Sequence, residues 1–354
     1  MTEQLIKEPP KAAANREPVR GYELLSRRRG ELMGIALLWV MLFHAYPFHF
    51  HVLPLDAFKA IGFGGVDIFL MLSGLGVCGS LLRRPDTPLR DFYLRRLKRI
   101  MPAFWLVVGA YSLALWGAGR IAGSTVLWNL SGVYYWFHIE GAFNWYIPAL
   151  LAFYALTPLF VWMLRHSRHR EWLTVGVMAG AYLLYRLSAE AGLDYTADFL
   201  YRIPVFFLGC LLAAYLLDQK PLTRRHIAVW SLCVLFGVTL QVLTLTGVYW
   251  TSICYSFALC AVPGCLILAK GLEALPWEGP RKFLRRLGEC SLEIYLLNVI
   301  VTREFPFLSR FLDFDPYHLA YYAIVYSLNL VLGILLHRLI QRAEQAVKTR
   351  RVPV

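Results

Sequence analysis

Long apolar runs separated by short polar segments dominate the pattern of residues along the chain. An α-helix needs about 20 apolar residues to cross the hydrocarbon layer of a bilayer, and ten runs come close to that length. They lie near residues 32–50, 60–82, 100–118, 144–164, 172–189, 199–217, 226–246, 250–273, 287–304 and 317–340. The stretch 124–139 is shorter and more polar, which indicates an interfacial or re-entrant segment. The pattern therefore predicts an all-α, polytopic integral membrane helix bundle of about ten transmembrane helices.

The basic residues of the connecting loops predict the orientation of this bundle, because short cytoplasmic loops carry most of the Lys and Arg. Every second loop is basic, and these loops lie near residues 83–99, 165–170, 220–225 and 281–286. With an even number of spans, both termini are expected in the cytoplasm, where the basic segments 1–30 and 343–354 form tails. The N-terminal tail lacks the apolar core and cleavage site of a signal peptide, so the first span is expected to direct insertion.

Composition agrees with a membrane protein and changes the interpretation of the charge. Hydrophobic residues make up 58% of the 354 positions and charged residues only 17%, with a mean hydropathy of +0.50. A net charge of +13 is also typical of nucleic-acid binding, but the basic residues form short clusters between apolar runs. We therefore expect the lipid bilayer as a partner and no nucleic acid. No linker and no repeat of fixed period divides the chain, which predicts one membrane domain between the tails.

The seven cysteines all lie inside apolar runs or at their cytoplasmic ends. Their spacing indicates no disulfide framework and no zinc-binding motif. The sequence therefore predicts no metal site.

Two ionisable residues inside the predicted spans, His44 and Asp67, are the first candidates for chemistry, because burying such groups costs several kcal/mol unless they are paired or hydrated. His44 follows about twelve residues of the first run, which places it ~18 Å above the inner membrane edge. Asp67 lies about seven residues into the second run, ~10 Å below the outer edge of a layer ~30 Å thick. Since the two depths coincide, the imidazole and the carboxylate are expected within hydrogen-bond reach.

A His–Asp pair at this depth has two interpretations. A carboxylate that orients an imidazole and raises its basicity creates a general base. The same pair also serves as a structural link between two helices or as part of the lining of a pore. The spacing alone leaves both alternatives open.

Arg96 and Arg99 stand one turn apart where the third predicted span enters the membrane from the cytoplasm. Two guanidinium groups at that spacing can clamp a phosphate, but such a cluster is also typical of a topogenic signal that contacts anionic lipid. At the outer start of the fourth run, Asn144 and Trp145 can dock a sugar through an amide and an aromatic face. Their alternative role is to anchor the helix at the membrane interface.

Four segments, taken in order, resemble the acyltransferase type 3 family, transmembrane bacterial proteins that O-acylate surface and exported glycans. The first segment, 32–44, ends in His44, and the second, 64–74, reads GGVDIFLMLSG and contains Asp67. The basic loop 92–102 contains both arginines, and the fourth segment, 291–298, reads SLEIYLLN.

The resemblance implies a transmembrane acyltransferase domain over 31–342, an O-acetyltransferase of the bacterial cytoplasmic (inner) membrane. It implies that His44 deprotonates an acceptor hydroxyl group or relays the acyl group, with Asp67 as the orienting carboxylate. It also implies that Arg96 and Arg99 contact the phosphates of acyl-coenzyme A, expected to be acetyl-coenzyme A. The implied acceptor is a glycan or a lipid-linked sugar, and no bound cofactor is expected.

Two positions depart from the family pattern. Met33 stands where the family usually has an arginine, eleven residues before the histidine, and Asn298 stands where many members have a histidine. Asn298 is expected to position a substrate, since an amide cannot titrate as a base. Tyr295 is a further expected substrate contact, and Ser73, Tyr295 and Asn298 are the candidates for stabilising an oxyanion.

Two rival functions stay open at this level. A multi-span transporter could use His44 and Asp67 as a proton relay, although no inverted repeat is visible in the sequence. A scaffold protein of lipid or glycan biosynthesis would keep the fold without the activity, and the departures at Met33 and Asn298 favour that alternative.

Overall fold

The structure, a computed structural model, describes residues 21–138, 144–246, 253–312 and 317–349. The described residues form helices, turns and loops, and they contain no strand. The α-helices are α1 (Glu23–Arg27), α2 (Arg29–Phe43), α3 (Leu53–Ala60), α4 (Gly64–Arg83), α5 (Leu89–Gly117), α6 (Gly123–Ser131), α7 (Tyr146–His166), α8 (Arg170–Glu190), α9 (Ala197–Leu200), α10 (Ile203–Leu217), α11 (Arg224–Leu245), α12 (Ile253–Ala274), α13 (Glu278–Glu289), α14 (Ser291–Arg303), α15 (Phe305–Leu312) and α16 (Leu319–Thr349). The predicted all-α class is confirmed.

Each of the ten apolar runs coincides with a helix, namely α2, α4, α5, α7, α8, α10, α11, α12, α14 and α16. Seven helices among the described residues are long and apolar enough to cross a bilayer. They are Gly64–Arg83, Leu89–Gly117, Tyr146–His166, Asp194–Leu217, Arg224–Thr244, Tyr255–Ala274 and Leu319–Val347. Of the other three, α2 has 15 residues and α14 has 13. The count of ten spans and the cytoplasmic location of both termini stay predictions.

Several helix ends differ from the apolar runs that predicted them. Helix α2 ends at Phe43 and is capped by His44, whereas the first run continues to residue 50. Pro47 interrupts that continuation, because proline has no backbone N–H to donate. Helix α5 starts directly after Pro88 and includes the basic loop, so Arg96 and Arg99 lie on a helix.

Of the stretch 124–139, residue 139 lies outside the described residues, and the rest contains the nine-residue helix α6, which begins at Gly123, and a 3₁₀ turn at Tyr134–Phe137. Nine residues rise only ~14 Å, so α6 is too short to cross a bilayer. It packs against α5, where Asn129 Nδ2 donates to Ser112 Oγ at 3.1 Å. The short helix agrees with an interfacial or re-entrant segment.

Helix α4 lies at the centre of the bundle and packs against α2, α7, α10 and α12. Its closest approach is to α10, where a Cβ built at Gly209 would lie 2.1 Å from the carbonyl oxygen of Met71. Small residues allow helix backbones to approach this closely in membranes. Cys78 and Cys210 form a disulfide between the same two helices, a pairing that cysteine spacing did not predict.

The amphipathic helix α13 packs against the first turns of α2. A Cβ at Gly288 would lie 2.0 Å from the carbonyl oxygen of Gly30, so any larger residue at position 288 would clash with the backbone of α2. Arg285 Nη2 donates to the buried carboxylate of Glu31 at 2.7 Å. This contact fixes the end of α2 that carries Arg29, and α14 begins directly after α13.

Candidate active site

A cavity of about 520 Å³ extends into the bundle between α2, α4, α5, α7, α13, α14 and α16. Along α2 its lining extends from Arg29 to Val40, eleven residues and roughly 16 Å along the helix axis. His44 lies one turn beyond Val40, since its backbone N–H donates to the Val40 carbonyl at 3.1 Å. The cavity therefore has an arginine end, at Arg29, and a histidine end, next to His44.

Three guanidinium groups line the arginine end, those of Arg29, Arg96 and Arg99. Arg29 Nε donates to the Leu72 carbonyl at 3.0 Å, and Arg96 Nη2 donates to Ser80 Oγ at 2.8 Å. The pair predicted as a phosphate clamp is thus gathered in one cavity with a third arginine. Such a cluster offers several N–H donors in the fork geometry that suits phosphate oxygens.

Arg29 lies one turn before Met33, the position at which the resemblance implies an arginine. Both residues line the cavity, because positions four apart on a helix share one face. Room for the Arg29 guanidinium is left at Gly76, where a Cβ would lie 3.3 Å from Arg29 Cζ. A guanidinium therefore reaches the same cavity from one turn nearer the start of α2.

Side chains that carry hydroxyl groups also line the cavity. Ser73 Oγ and Tyr154 OH lie 3.1 Å apart, and the rings of Tyr146 and Tyr295 meet with centroids 4.9 Å apart. All four residues line the cavity. Tyr295, a predicted substrate contact, therefore lines the same cavity as the three arginines.

His44 pairs with Asn298, not with Asp67. Its Nδ1 lies 2.8 Å from Asn298 Nδ2, and Asn298 Oδ1 accepts a hydrogen bond of 3.4 Å from Asn329 Nδ2. Both asparagines are buried, one on α14 and one on α16. A chain of two amides therefore holds the His44 ring.

Asp67 has a different partner, Arg202 of the segment that leads into α10. The carboxylate is fully buried, and its Oδ1 lies 3.9 Å from Arg202 Nε. Arg202 also contacts Asp198 at 3.0 Å and lies over the Trp145 ring at 4.6 Å. Within the part of the chain that the structure describes, no hydrogen bond joins Asp67 to His44.

The packing of α2 on α4 explains why the depths of His44 and Asp67 differ. A Cβ at Gly65 would lie 2.5 Å from the Ala36 carbonyl, and one at Gly62 would lie 2.8 Å from Phe43 Cβ. His44 is therefore beside the loop before α4, while Asp67 lies further along α4. The sequence estimate had assumed that both helices reach the membrane edge where their apolar runs end.

Asn144 and Trp145, the predicted sugar contacts, lie at the start of α7. Asn144 is buried, and its Oδ1 accepts from the Ile147 backbone N–H at 3.2 Å. Its backbone carbonyl accepts the Tyr134 hydroxyl hydrogen bond. Trp145 contacts Arg202 through its ring face. The two residues therefore have structural roles here, and sugar binding stays a prediction.

Four charged or ionisable residues of the site were not selected from the sequence: Arg29, Arg202, Glu293 and His337. Glu293 is fully buried and lies between Arg99 Nη1, at 2.9 Å, and His337 Nδ1, at 3.0 Å. Three of the four lie within or beside predicted spans, and an ionisable residue in a span is itself a signal of function. Arg29 belongs to a cluster of three consecutive arginines just before the first predicted span, so the sequence did not distinguish it from its neighbours.

The chain is similar to proteins named as acyltransferases and transacylases. The sequence pattern of the acyltransferase domain family matches residues 32–338, most of the chain. A similar protein is the "putative membrane-bound transacylase BcsY" of Komagataeibacter xylinus, 27% identical over 214 residues. The match covers 54% of this chain and 52% of that protein, so it spans about half of the relative's length. No solved structure matches the chain.

Proposed function

This chain belongs to the acyltransferase type 3 family, and we propose that it transfers an acyl group from cytoplasmic acyl-coenzyme A to a glycan hydroxyl group. We expect the acyl group to be acetyl and the acceptor to be a cell-surface or exported glycan or its lipid-linked precursor. The observation that supports this proposal is the cavity with arginines at one end and a histidine next to the other.

The separation of the two ends favours a long donor. Arg29 and His44 are fifteen residues apart on one helix, roughly 22 Å. Acyl-coenzyme A carries its phosphates and its thioester at opposite ends of a flexible arm, so its phosphates can bind the arginines while its thioester approaches His44. A donor whose phosphate is bonded directly to the acyl group could not occupy both ends at once.

His44 is the proposed general base. Its free ring nitrogen takes the proton of the acceptor hydroxyl group, the hydroxyl oxygen forms a bond to the thioester carbonyl carbon, and the C–S bond breaks to release the thiolate. Tyr295, which lines the cavity three residues before Asn298, is our candidate for a donor to the developing oxyanion.

The amides of Asn298 and Asn329 determine which ring nitrogen of His44 can act as the base. When Asn298 Nδ2 donates to Nδ1, the proton of the neutral ring lies on Nε2, and no basic nitrogen is free. When both amide groups flip, so that their oxygen and nitrogen atoms exchange places, Asn298 Oδ1 accepts a hydrogen bond from His44 Nδ1–H and Asn298 Nδ2 donates to Asn329 Oδ1. His44 Nε2 is then unprotonated and becomes the base. The second arrangement also stabilises the imidazolium that forms, so we assign this arrangement to the catalytically active state.

Asp67 is proposed to act through Arg202 and Trp145 instead of through His44. Its carboxylate balances the charge of the buried guanidinium, which in turn supports the Trp145 ring. An aromatic face beside the Asn144 amide is suited to a sugar ring, so we assign acceptor binding to this group. By the loop charges, it faces the outer side of the bacterial cytoplasmic membrane.

The alternative function is a transporter that uses His44 and Asp67 as a proton relay. A relay would need these two groups in contact, and they have different partners. The experiment that separates the two functions supplies acyl-coenzyme A with a labelled acyl group and a glycan acceptor to the purified protein. A transferase moves the label to the acceptor, whereas a transporter leaves it on the thioester.

A further inference from the structure

Glu293 joins three helices at the arginine end of the cavity. Its Oε1 accepts from Arg99 Nη1 of α5 at 2.9 Å and lies 3.0 Å from His337 Nδ1 of α16. The carboxylate is fully buried, and its Oε2 has no hydrogen-bond partner among the described residues. One buried oxygen is thus shared by a guanidinium and an imidazole.

The two partners of Glu293 differ in exposure. The Arg99 side chain is 48% exposed and its Nη2 also donates to the Glu289 carbonyl at 3.1 Å. His337 is only 5% exposed and lines the cavity. Arg99 can therefore turn towards a ligand, while His337 stays beside the carboxylate.

The other charged groups that line this end of the cavity come from three helices. They are Arg29 on α2, Arg96 on α5 and Glu289 on α13. Glu289 Oε2 forms an ion pair with Arg286 at 3.1 Å. Of the side-chain types at this end of the cavity, an imidazole is the one that serves proteins as a proton-dependent charge.

A buried carboxylate requires a counter-charge, since its burial without one costs several kcal/mol. While His337 is neutral, Arg99 supplies that charge, and little of it is available to an incoming anion. Once His337 is protonated, the imidazolium balances Glu293, and the positive charge of Arg99 becomes available.

We propose that Glu293 and His337 are positioning residues of the donor site, and that a proton on His337 releases Arg99 from Glu293 to bind a donor phosphate. This inference rests on the proposed function, because the donor is acyl-coenzyme A. It concerns donor binding and not the chemical step, since His337 lies eight residues, roughly 12 Å, from Asn329 on α16.

The test measures binding of free coenzyme A to the full-length protein in detergent, at about pH 5.5 and about pH 8, either side of the ordinary imidazole pKa of ~6.5. The variants are His337→Gln and Glu293→Gln. The phosphate monoester of coenzyme A titrates near pH 6 itself, so each variant is compared with the wild type at the same pH.

The two variants are expected to change affinity in opposite directions. At low pH, His337→Gln binds coenzyme A roughly threefold to fivefold more weakly than the wild type, and at high pH the two are equal. At high pH, Glu293→Gln binds more tightly than the wild type by a similar factor, because Arg99 has lost its competing carboxylate. The His44→Ala control keeps the pH dependence of the wild type, which excludes His44 as the titrating group.

Equal pH dependence in the wild type and His337→Gln would overturn the inference. Weaker binding in both variants at every pH would also overturn it, because that result indicates a purely structural role for Glu293. If the wild type binds no coenzyme A at any pH, the proposed donor is wrong, and this inference is then wrong as well. Binding by the wild type without the expected differences removes this inference alone.

Discussion

The Nδ1 atom of His44 lies 2.8 Å from Nδ2 of Asn298, at the point where α14 crosses the end of α2. Asn298 is fully buried, and its Oδ1 accepts a hydrogen bond from Asn329 of α16. The base proposed for this transferase is therefore oriented by amides, in a position where the sequence had predicted a carboxylate. An amide can orient a ring, but it gives less support to an imidazolium than a carboxylate does.

The first prediction concerns the two amides that hold His44. Asn298→Leu should lower kcat by roughly 10- to 100-fold, part of what a general base contributes, with the donor KM unchanged. Asn298→Asp should keep or raise kcat, because a carboxylate can only accept from Nδ1–H. Asn329→Leu should have a smaller effect of the same kind. A higher donor KM with an unchanged kcat would contradict this assignment.

The second prediction concerns Arg29. Arg29→Ala should raise the donor KM with little change in kcat, as should the double variant Arg96→Ala/Arg99→Ala. Adding Met33→Arg to Arg29→Ala should lower the donor KM again, because position 33 lines the same cavity one turn further in. Steady-state kinetics on membranes with matched protein levels provide the measurement. Failure of Met33→Arg to recover donor binding would show that the site requires a guanidinium at residue 29 itself.

The third prediction separates Asp67 from His44. Asp67→Asn removes the buried counter-charge of Arg202, so it should lower the thermal unfolding temperature of the detergent-solubilised protein. The loss should be partial because Asp198 also contacts Arg202. Combining Asp67→Asn with Arg202→Met should recover much of the stability. If Asp67→Asn abolishes transfer while the unfolding temperature is unchanged, Asp67 acts on the chemistry directly.

The fourth prediction tests the topology. A reporter active only in the cytoplasm should be active when it is fused after Val354 and when it is inserted near Asp86, because both positions belong to basic segments. A matched insertion near Asp194 should be inactive. An active reporter near Asp194, or an inactive reporter at either of the other two positions, would contradict ten spans with both termini inside.

The helices could be predicted from the sequence because the length and hydropathy of an apolar run are local properties. Every predicted run contains a helix, whereas the ends of α2 and α5 were misplaced by several residues. Those ends depend on Pro47 and Pro88, which terminate or begin helices regardless of the apolarity around them.

The partners of the polar residues could not be predicted in the same way, because they depend on the packing of one helix on another. The glycine contacts of α4 decide that His44 and Asp67 lie at different levels. Glu293 was visible as a charge in a predicted span, but its position between Arg99 and His337 requires three helices to be placed together. Arg29 could not be distinguished from Arg27 and Arg28 until the cavity was known.

The role of His44 as general base is tested by the transfer of a labelled acyl group from acyl-coenzyme A to a glycan acceptor, measured with the purified wild type and with His44→Ala. The substitution replaces the half-buried imidazole by a small apolar side chain, so the variant should still insert into the membrane and still bind coenzyme A. We expect labelled acceptor with the wild type and almost none with His44→Ala. Near-normal transfer by a well-inserted His44→Ala protein would contradict the proposed mechanism.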